Sequence, residues 1–208
     1  SADVIALYEF DNSSLASSDT EPNSTAHEFG EGAFDKNGAN APAPVSVVFK
    51  STDGSPGDGR SPSVSDAPAQ YVSDRATAVN DGYYFTFSVS PASTYQLDLD
   101  SLDFWVENNG AGFGEIGIDI STDGTNYTTV AEELDTNEHQ YNVPITGFTG
   151  LSDTVYFRMP VWRENQGGDA GQRTRVDTIT LNGSVVPEPA TCALLALAGL
   201  ALLRRRQS

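Results

Sequence analysis

The 208-residue chain carries 29 acidic and 11 basic side chains, a formal net charge of −18. The excess is uneven: residues 1–186 hold 28 acidic and 8 basic side chains, a net −20, whereas residues 187–208 hold Glu188 against Arg204, Arg205 and Arg206. A field this negative repels nucleic acid and anionic headgroups, which argues against phosphate-binding functions, and an apolar share of 38% is enough for one core. The single cysteine, Cys192, lies in the basic segment, so residues 1–186 form no disulfide and no thiolate metal site.

The chain opens on Ser1 with no basic n-region or apolar h-region, so an export leader, where one existed, is expected to have been removed. Val4 to Phe10, β-branched and aromatic, predicts a strand closed by the turn residues Asp11-Asn12-Ser13-Ser14. Residues 11–44, rich in Ser, Thr, Asn, Gly and Pro, predict loops with one short strand, and Val45–Phe49 predicts a second clear strand. The dense Asp53-Gly54, Pro56-Gly57 and Asp58-Gly59 steps predict a long mobile loop over Ser51–Pro68.

The strongest β signal lies in Tyr83–Val89 and Tyr95–Val106. In the latter Tyr95, Leu97 and Leu99 alternate with polar residues, which puts Asp98 and Asp100 on a solvated face, with Asp103 and Glu107 read the same way. Glu115–Ser121 and Tyr127–Val130 flank Asp123-Gly124, a hairpin signal because Gly supplies positive φ. Further strands are predicted at His139–Val143, Thr154–Val161 and Arg173–Asn182, and no stretch before residue 190 shows a 3.6-residue apolar period. Many short strands without crossover helices predict an all-β fold, an antiparallel β-sandwich of jelly-roll type over residues 1–184. In that topology the first and last strands adjoin, which would bring Glu9 and Asp11 toward Asp177.

Residues 185–208 read differently. Pro187-Glu188-Pro189 breaks the chain, Ala190 to Leu203 is continuously apolar, and Arg204, Arg205 and Arg206 follow. Leu and Ala favour a helix that the prolines bar from extending backwards. Fourteen residues span roughly 21 Å, short of the roughly 30 Å hydrocarbon core, a shortfall that bilayer thinning and arginine snorkelling reduce. The terminal cations favour a cytoplasmic C-terminus. Breaker, apolar helix and arginine cluster in this order resemble the PEP-CTERM sorting signal of bacterial exported proteins. The resemblance implies export, a transient stay in the inner membrane, recognition near Pro187, Glu188 and Pro189 by an exosortase-type membrane protease, and delivery to the cell surface or extracellular matrix.

The body more loosely resembles the jelly-roll domains of carbohydrate-binding modules, through Ala6 to Asp11, Ser121 to Gly124 and Arg175 to Gly183. That resemblance implies polysaccharide binding without catalysis, and a structural Ca²⁺ bridging Glu9, Asp11 and Asp177, set against loop capping by the same residues. The candidate ligand surface is Trp162 with Arg163, Asn165 and Gln166, an aromatic face with hydrogen-bond donors suited to a sugar, set against Trp162 as a core residue. A glycan hydrolase or lyase is the competing expectation, since its chemistry needs two carboxylates at a set separation and carboxylates abound. No Gly-x-Ser-x-Gly elbow occurs, and His27 and His139 lack metal-ligand spacing.

Overall fold

Apolar residues recurring at every second position turn one face of each strand inward, and two such faces close on each other to form the fold. The structure, a computed structural model, describes residues 3–11, 14–31, 48–51, 60–65, 74–108, 114–137, 139–162 and 173–189. The elements are β1 (Asp3–Tyr8), β2 (Ser24–Ala26), β3 (Gly30–Glu31), β4 (Val48–Ser51), β5 (Arg60–Ser65), α1 (Arg75–Asp81), β6 (Tyr84–Pro91), β7 (Tyr95–Asn108), β8 (Glu115–Ser121), β9 (Thr128–Asp135), β10 (His139–Pro144), β11 (Val155–Trp162) and β12 (Arg173–Pro187). The first sheet runs β10-β7-β12-β5-β4 with β1 also on β12, and the second β2-β6-β11-β8-β9 with β3 also on β6. All these pairings are antiparallel, and the architecture is the predicted β-sandwich, its first and last strands paired.

Between the sheets, Phe85, Phe87 and Val89 of β6, Ile116, Ile118 and Ile120 of β8, and Val155, Phe157 and Met159 of β11 are buried in one cluster with Leu102, Phe104, Val106, Val176, Ile179 and Leu181 of the first sheet. Phe87 and Phe157 stack across the β6–β11 pair at 4.4 Å, and Tyr8 of β1 reaches Phe87 of the opposite sheet at 5.4 Å. The Tyr8 hydroxyl donates to His27 O at 2.5 Å. Burial, with the Asp19 charge adding, pushes that phenol above its ordinary value, so it stays a neutral donor.

Three sequence expectations are corrected. Residues 60–65 form β5 where a long loop over Ser51–Pro68 was expected, because β12 offers them Thr174 and Arg175 as ladder partners 110 positions away, a contact that local turn residues do not announce. A short helix, α1, precedes residue 190: Asp74 caps it by accepting the Thr77 amide at 2.9 Å, and Gly82 ends it at φ 83. Seven residues are too few to display a helical period. Finally, β12 does not end at Asn182-Gly183 but continues to Pro187, paired with β7 throughout. The apolar run Ala190–Leu203, with Cys192, lies outside the described residues.

β7 and β12 stay paired over such length by slipping register twice. At one slip Thr178 takes φ 46, and the Asp177 carboxylate accepts its amide at 2.8 Å. At the other, Asn182 pairs with Ser101 and Gly183 with Leu99, so Asp100 is left over as a bulge and the inward set changes from Leu97 and Leu99 to Leu102, Phe104 and Val106. Gly183 is required there by space: a Cβ would stand 2.2 Å from Asp98 O and 2.6 Å from Ile5 Cδ1. Gly183→Ala is therefore expected to force β7 and β12 apart and lower unfolding free energy by about 3 kcal/mol in urea titration; an unchanged midpoint would contradict the close approach.

The predicted hairpin forms between β8 and β9, its loop closed by one carboxylate. Asp123 accepts from the Asn126 side chain and amide, both at 2.7 Å, from Thr125 N at 2.8 Å and from the Ser121 hydroxyl at 2.9 Å. These bonds, the Asn126 side chain foremost, hold the Asp123 carboxyl well below the ordinary carboxylate range. A depressed folded value means the contribution is present above the unfolded pKa and is lost as pH falls through the folded one. Carboxyl-carbon NMR titration should find Asp123 still ionised below the pH at which ordinary aspartates protonate; a midpoint near 3.9 would contradict the loop.

Candidate ligand-binding face

Strand alternation that sends Phe85, Phe157 and Ile120 inward sends Tyr84, Tyr156, Arg158, Trp162, Gly117 and Asp119 to the outer face of the second sheet. At its centre lies Asp119 of β8, whose side chain is 0% exposed. Arg158 of β11 donates from Nε and Nη2 to Asp119 Oδ2 at 3.0 and 2.8 Å. Arg75 of α1 pairs with Oδ1 from above, and the Thr129 hydroxyl of β9 donates to the same oxygen at 3.0 Å. One carboxylate thus joins three strands and a helix.

The Arg158 guanidinium in turn lies 4.0 Å from the Tyr127 ring centroid and 5.6 Å from that of Tyr84. Tyr156, two residues before Arg158 on the same face, is 36% exposed, its ring 3.4 Å from where a Cβ on Gly124 would stand. Burial raises the Tyr127 phenol above its ordinary value, with Arg158 opposing, so it remains a neutral donor and acceptor. Two tyrosines against a fixed guanidinium, with the exposed Tyr156 on the same face, form an amphipathic surface that can stack on the apolar face of a ring while donating hydrogen bonds at its edges.

The sequence placed the ligand surface elsewhere on this face. Trp162 is 5% exposed and belongs to the core cluster, not to an open platform; Arg163, Asn165 and Gln166 lie outside the described residues. Trp162 is covered because Gly117 leaves room: a Cβ there would stand 3.3 Å from both Trp162 Cζ3 and Arg75 Nε. The cover comes from α1, which is why Trp162 could not be placed from β11 alone. The tyrosines were missed because they come from β6, the β8–β9 loop and β11, although Tyr84 and Tyr156 do occupy the solvent-facing positions of their strands.

The calcium set is not assembled. Glu9 is exposed and accepts from the Ser18 hydroxyl at 2.6 Å, Asp11 is exposed, and Asp177 is buried with its carboxylate on the Thr178 amide. Among the described residues no three His, Cys, Asp or Glu side chains group to hold a metal. Nor are the β7 carboxylates one solvated face: Asp100 is exposed, but Asp98 accepts the Gly150 amide at 2.6 Å, Asp103 accepts from the Asn182 side chain at 2.9 Å, and Glu107 is buried in an ion pair with Arg175. His27 binds the Ser90 hydroxyl at 2.9 Å on the surface. The sorting residues Pro187 and Glu188 end β12 and follow it, Pro189 is exposed, and Arg204, Arg205 and Arg206 lie outside the described residues.

Asp119 carries the cost of desolvation for the whole face. A carboxylate at 0% exposure is held by two guanidiniums that are themselves 26% and 16% exposed, so removing it leaves two half-buried cations facing each other. Asp119→Ala is expected to cost about 3–5 kcal/mol by denaturant titration, and Arg75→Ala less, since Arg158 still pairs; equal and small effects would contradict this hierarchy.

Comparison with known proteins adds one specific finding and several general ones. The chain is similar to CpGH89CBM32-6 produced by Clostridium perfringens, with 15% identity and a TM-score of 0.30 over 49% of this chain and 71% of that one. It is similar to TmCBM61, solved in complex with β-1,4-galactotriose, with 16% identity and a TM-score of 0.28 over 62% and 82%. It is also similar to a family two carbohydrate esterase from Cellvibrio japonicus, with 16% identity and a TM-score of 0.31 over 80% and 36%. Similarity at this level extends to neither ligand nor chemistry, and no curated protein matches the chain. Residues 185–207 match the PEP-CTERM protein-sorting motif, which implies an exported protein of the surface or extracellular space, processed by exosortase, a membrane protease.

Proposed function

We propose that this exported domain is a non-catalytic glycan binder that takes a neutral polysaccharide on the outer face of its second sheet. The observation that carries the reading is the tyrosine-flanked guanidinium: Arg158, with Tyr127 at 4.0 Å and Tyr84 at 5.6 Å, beside the exposed Tyr156. Tyrosine rings stack on the C–H face of a pyranose and keep a hydroxyl for its rim, and few rotamers are lost in doing so. Arg158 has its charge directed into Asp119, which fixes the guanidinium as a hydrogen-bond donor rather than a free cation.

Charge selects among glycans. Arg75 and Arg158 share one carboxylate, which leaves a local +1 inside a body of net −20, whose field disfavours polyuronates and sulfated chains. The non-catalytic reading is supported by Asp119 itself, whose two carboxylate oxygens are taken up by Arg75, Arg158 and Thr129 rather than presented to a ligand. The route to the matrix is the sorting motif, with exosortase as the processing partner and the inner membrane as a transient stop.

Capture of neutral oligosaccharides on a glycan array by the purified exported protein tests the reading. Neutral glycans should be retained and Tyr156→Ala should weaken binding about tenfold, the loss of one stacking contact. Retention of acidic glycans alone, or an unchanged signal in Tyr156→Ala, would sink it.

A further inference from the structure

Residues 185–188 belong at once to the sorting motif and to the sandwich. Val185, Val186 and Pro187 pair with Leu97, Gln96 and Tyr95 of β7, and one residue beyond the strand the Glu188 amide still donates to Thr94 O at 2.8 Å. Val185 packs against the core and Glu188 is half-buried. Between that last hydrogen bond and the apolar run beginning at Ala190 stands Pro189 alone. The described part of β1 begins at Asp3, opposite Gly183, so beyond Gly183 the rungs of β12 are held by β7 along one edge.

A protease reads its substrate as an extended strand whose backbone N–H and C=O groups it takes up itself. Here the strand end is engaged with β7 along one edge up to Glu188, so the segment is not a free strand until those rungs open. A segment so held is cut through its opened state, at a rate that follows the population of that state when opening is fast. We propose that the sandwich gates its own sorting: exosortase acts on the Pro187-Glu188-Pro189 segment after the rungs from Val185 to Glu188 have peeled from β7, so the pairing of this strand end sets the processing rate. The gate rests on the tail being processed, and it is local, because the peel involves one partner strand and leaves the bulge at Gly183 and the core below it in place.

The test locks and releases the gate in the full chain, exported in a host that carries the protease. Gln96 and Val186 are register partners, within the Cα separation of a disulfide, so Gln96→Cys with Val186→Cys clips the last rungs; Cys192→Ala in the same chain prevents mispairing. Pulse-chase of the C-terminal fragment should show the oxidised double-cysteine chain processed at least about tenfold more slowly than the Cys192→Ala parent, with reductant restoring the rate. A flexible Gly/Ser insert of about six residues between Val186 and Pro187, which lifts the motif off the sheet, should speed processing severalfold. A clipped chain cut at the parental rate, or an insert without effect, overturns the gate while leaving sorting intact; a parent that is never cut overturns both.

Discussion

The outer face of the second sheet depends on one buried carboxylate. Asp119 is placed on β8 by the same alternation that sends Ile118 and Ile120 into the core, and once there it has to be neutralised, because an isolated charge at that depth is not tolerated. Arg158 from β11 and Arg75 from α1 supply the counter-charge, and each brings a structural consequence. Arg75 ties α1 to this face beside Trp162, which ends the inner strand β11 and is buried with the core. Arg158 lies over the rings of Tyr127 and Tyr84, which brings tyrosines from separate parts of the chain to one surface. The empty position at Gly117 allows both, since any side chain there would meet Arg75 and Trp162.

Net charge acts on a longer scale. With −20 on residues 1–186, attraction of anionic partners is disfavoured, and the same acidity protects the sheet edges. β9 is the edge of the second sheet and carries exposed Glu132 and Glu133, the latter at φ 54, which bends the edge as well as charging it. An exported β-sandwich with open edges would otherwise offer unpaired ladders to other copies of itself.

Much of the fold was legible because strand alternation and turn chemistry are local. Tyr95–Leu99, Ile116–Ile120 and the Asp123-Gly124 loop came out as read. What was not legible depended on distant partners. Arg60–Ser65 becomes a strand through β12, Trp162 becomes core through a helix more than eighty positions earlier, and Asp177 accepts the Thr178 amide at the bulge. The candidate site was not legible: the sequence singled out Trp162 with Arg163, Asn165 and Gln166, whereas the tyrosines near Arg158 come from β6 (Tyr84), the β8–β9 loop (Tyr127) and β11 (Tyr156), which only the sheet order brings together. The continuation of β12 into Pro187 was hidden by Gly183, which reads as a stop and is instead the residue that lets two strands touch.

The face and the tail meet in one economy of structure: both depend on how tightly the strands of a disulfide-free body are clamped, by an ion pair at one place and by a continuous ladder at the other. The most direct test of the central claim is amide-shift mapping of the isotope-labelled exported protein during titration with neutral cello-, galacto- and xylo-oligosaccharides. The account predicts shifts concentrated at Tyr84–Ser88, Asp119–Thr129 and Tyr156–Pro160. Shifts concentrated instead on Ser101, Asp103, Asn142 and Asn182, the hydrogen-bonded polar cluster of the opposite sheet, would contradict it.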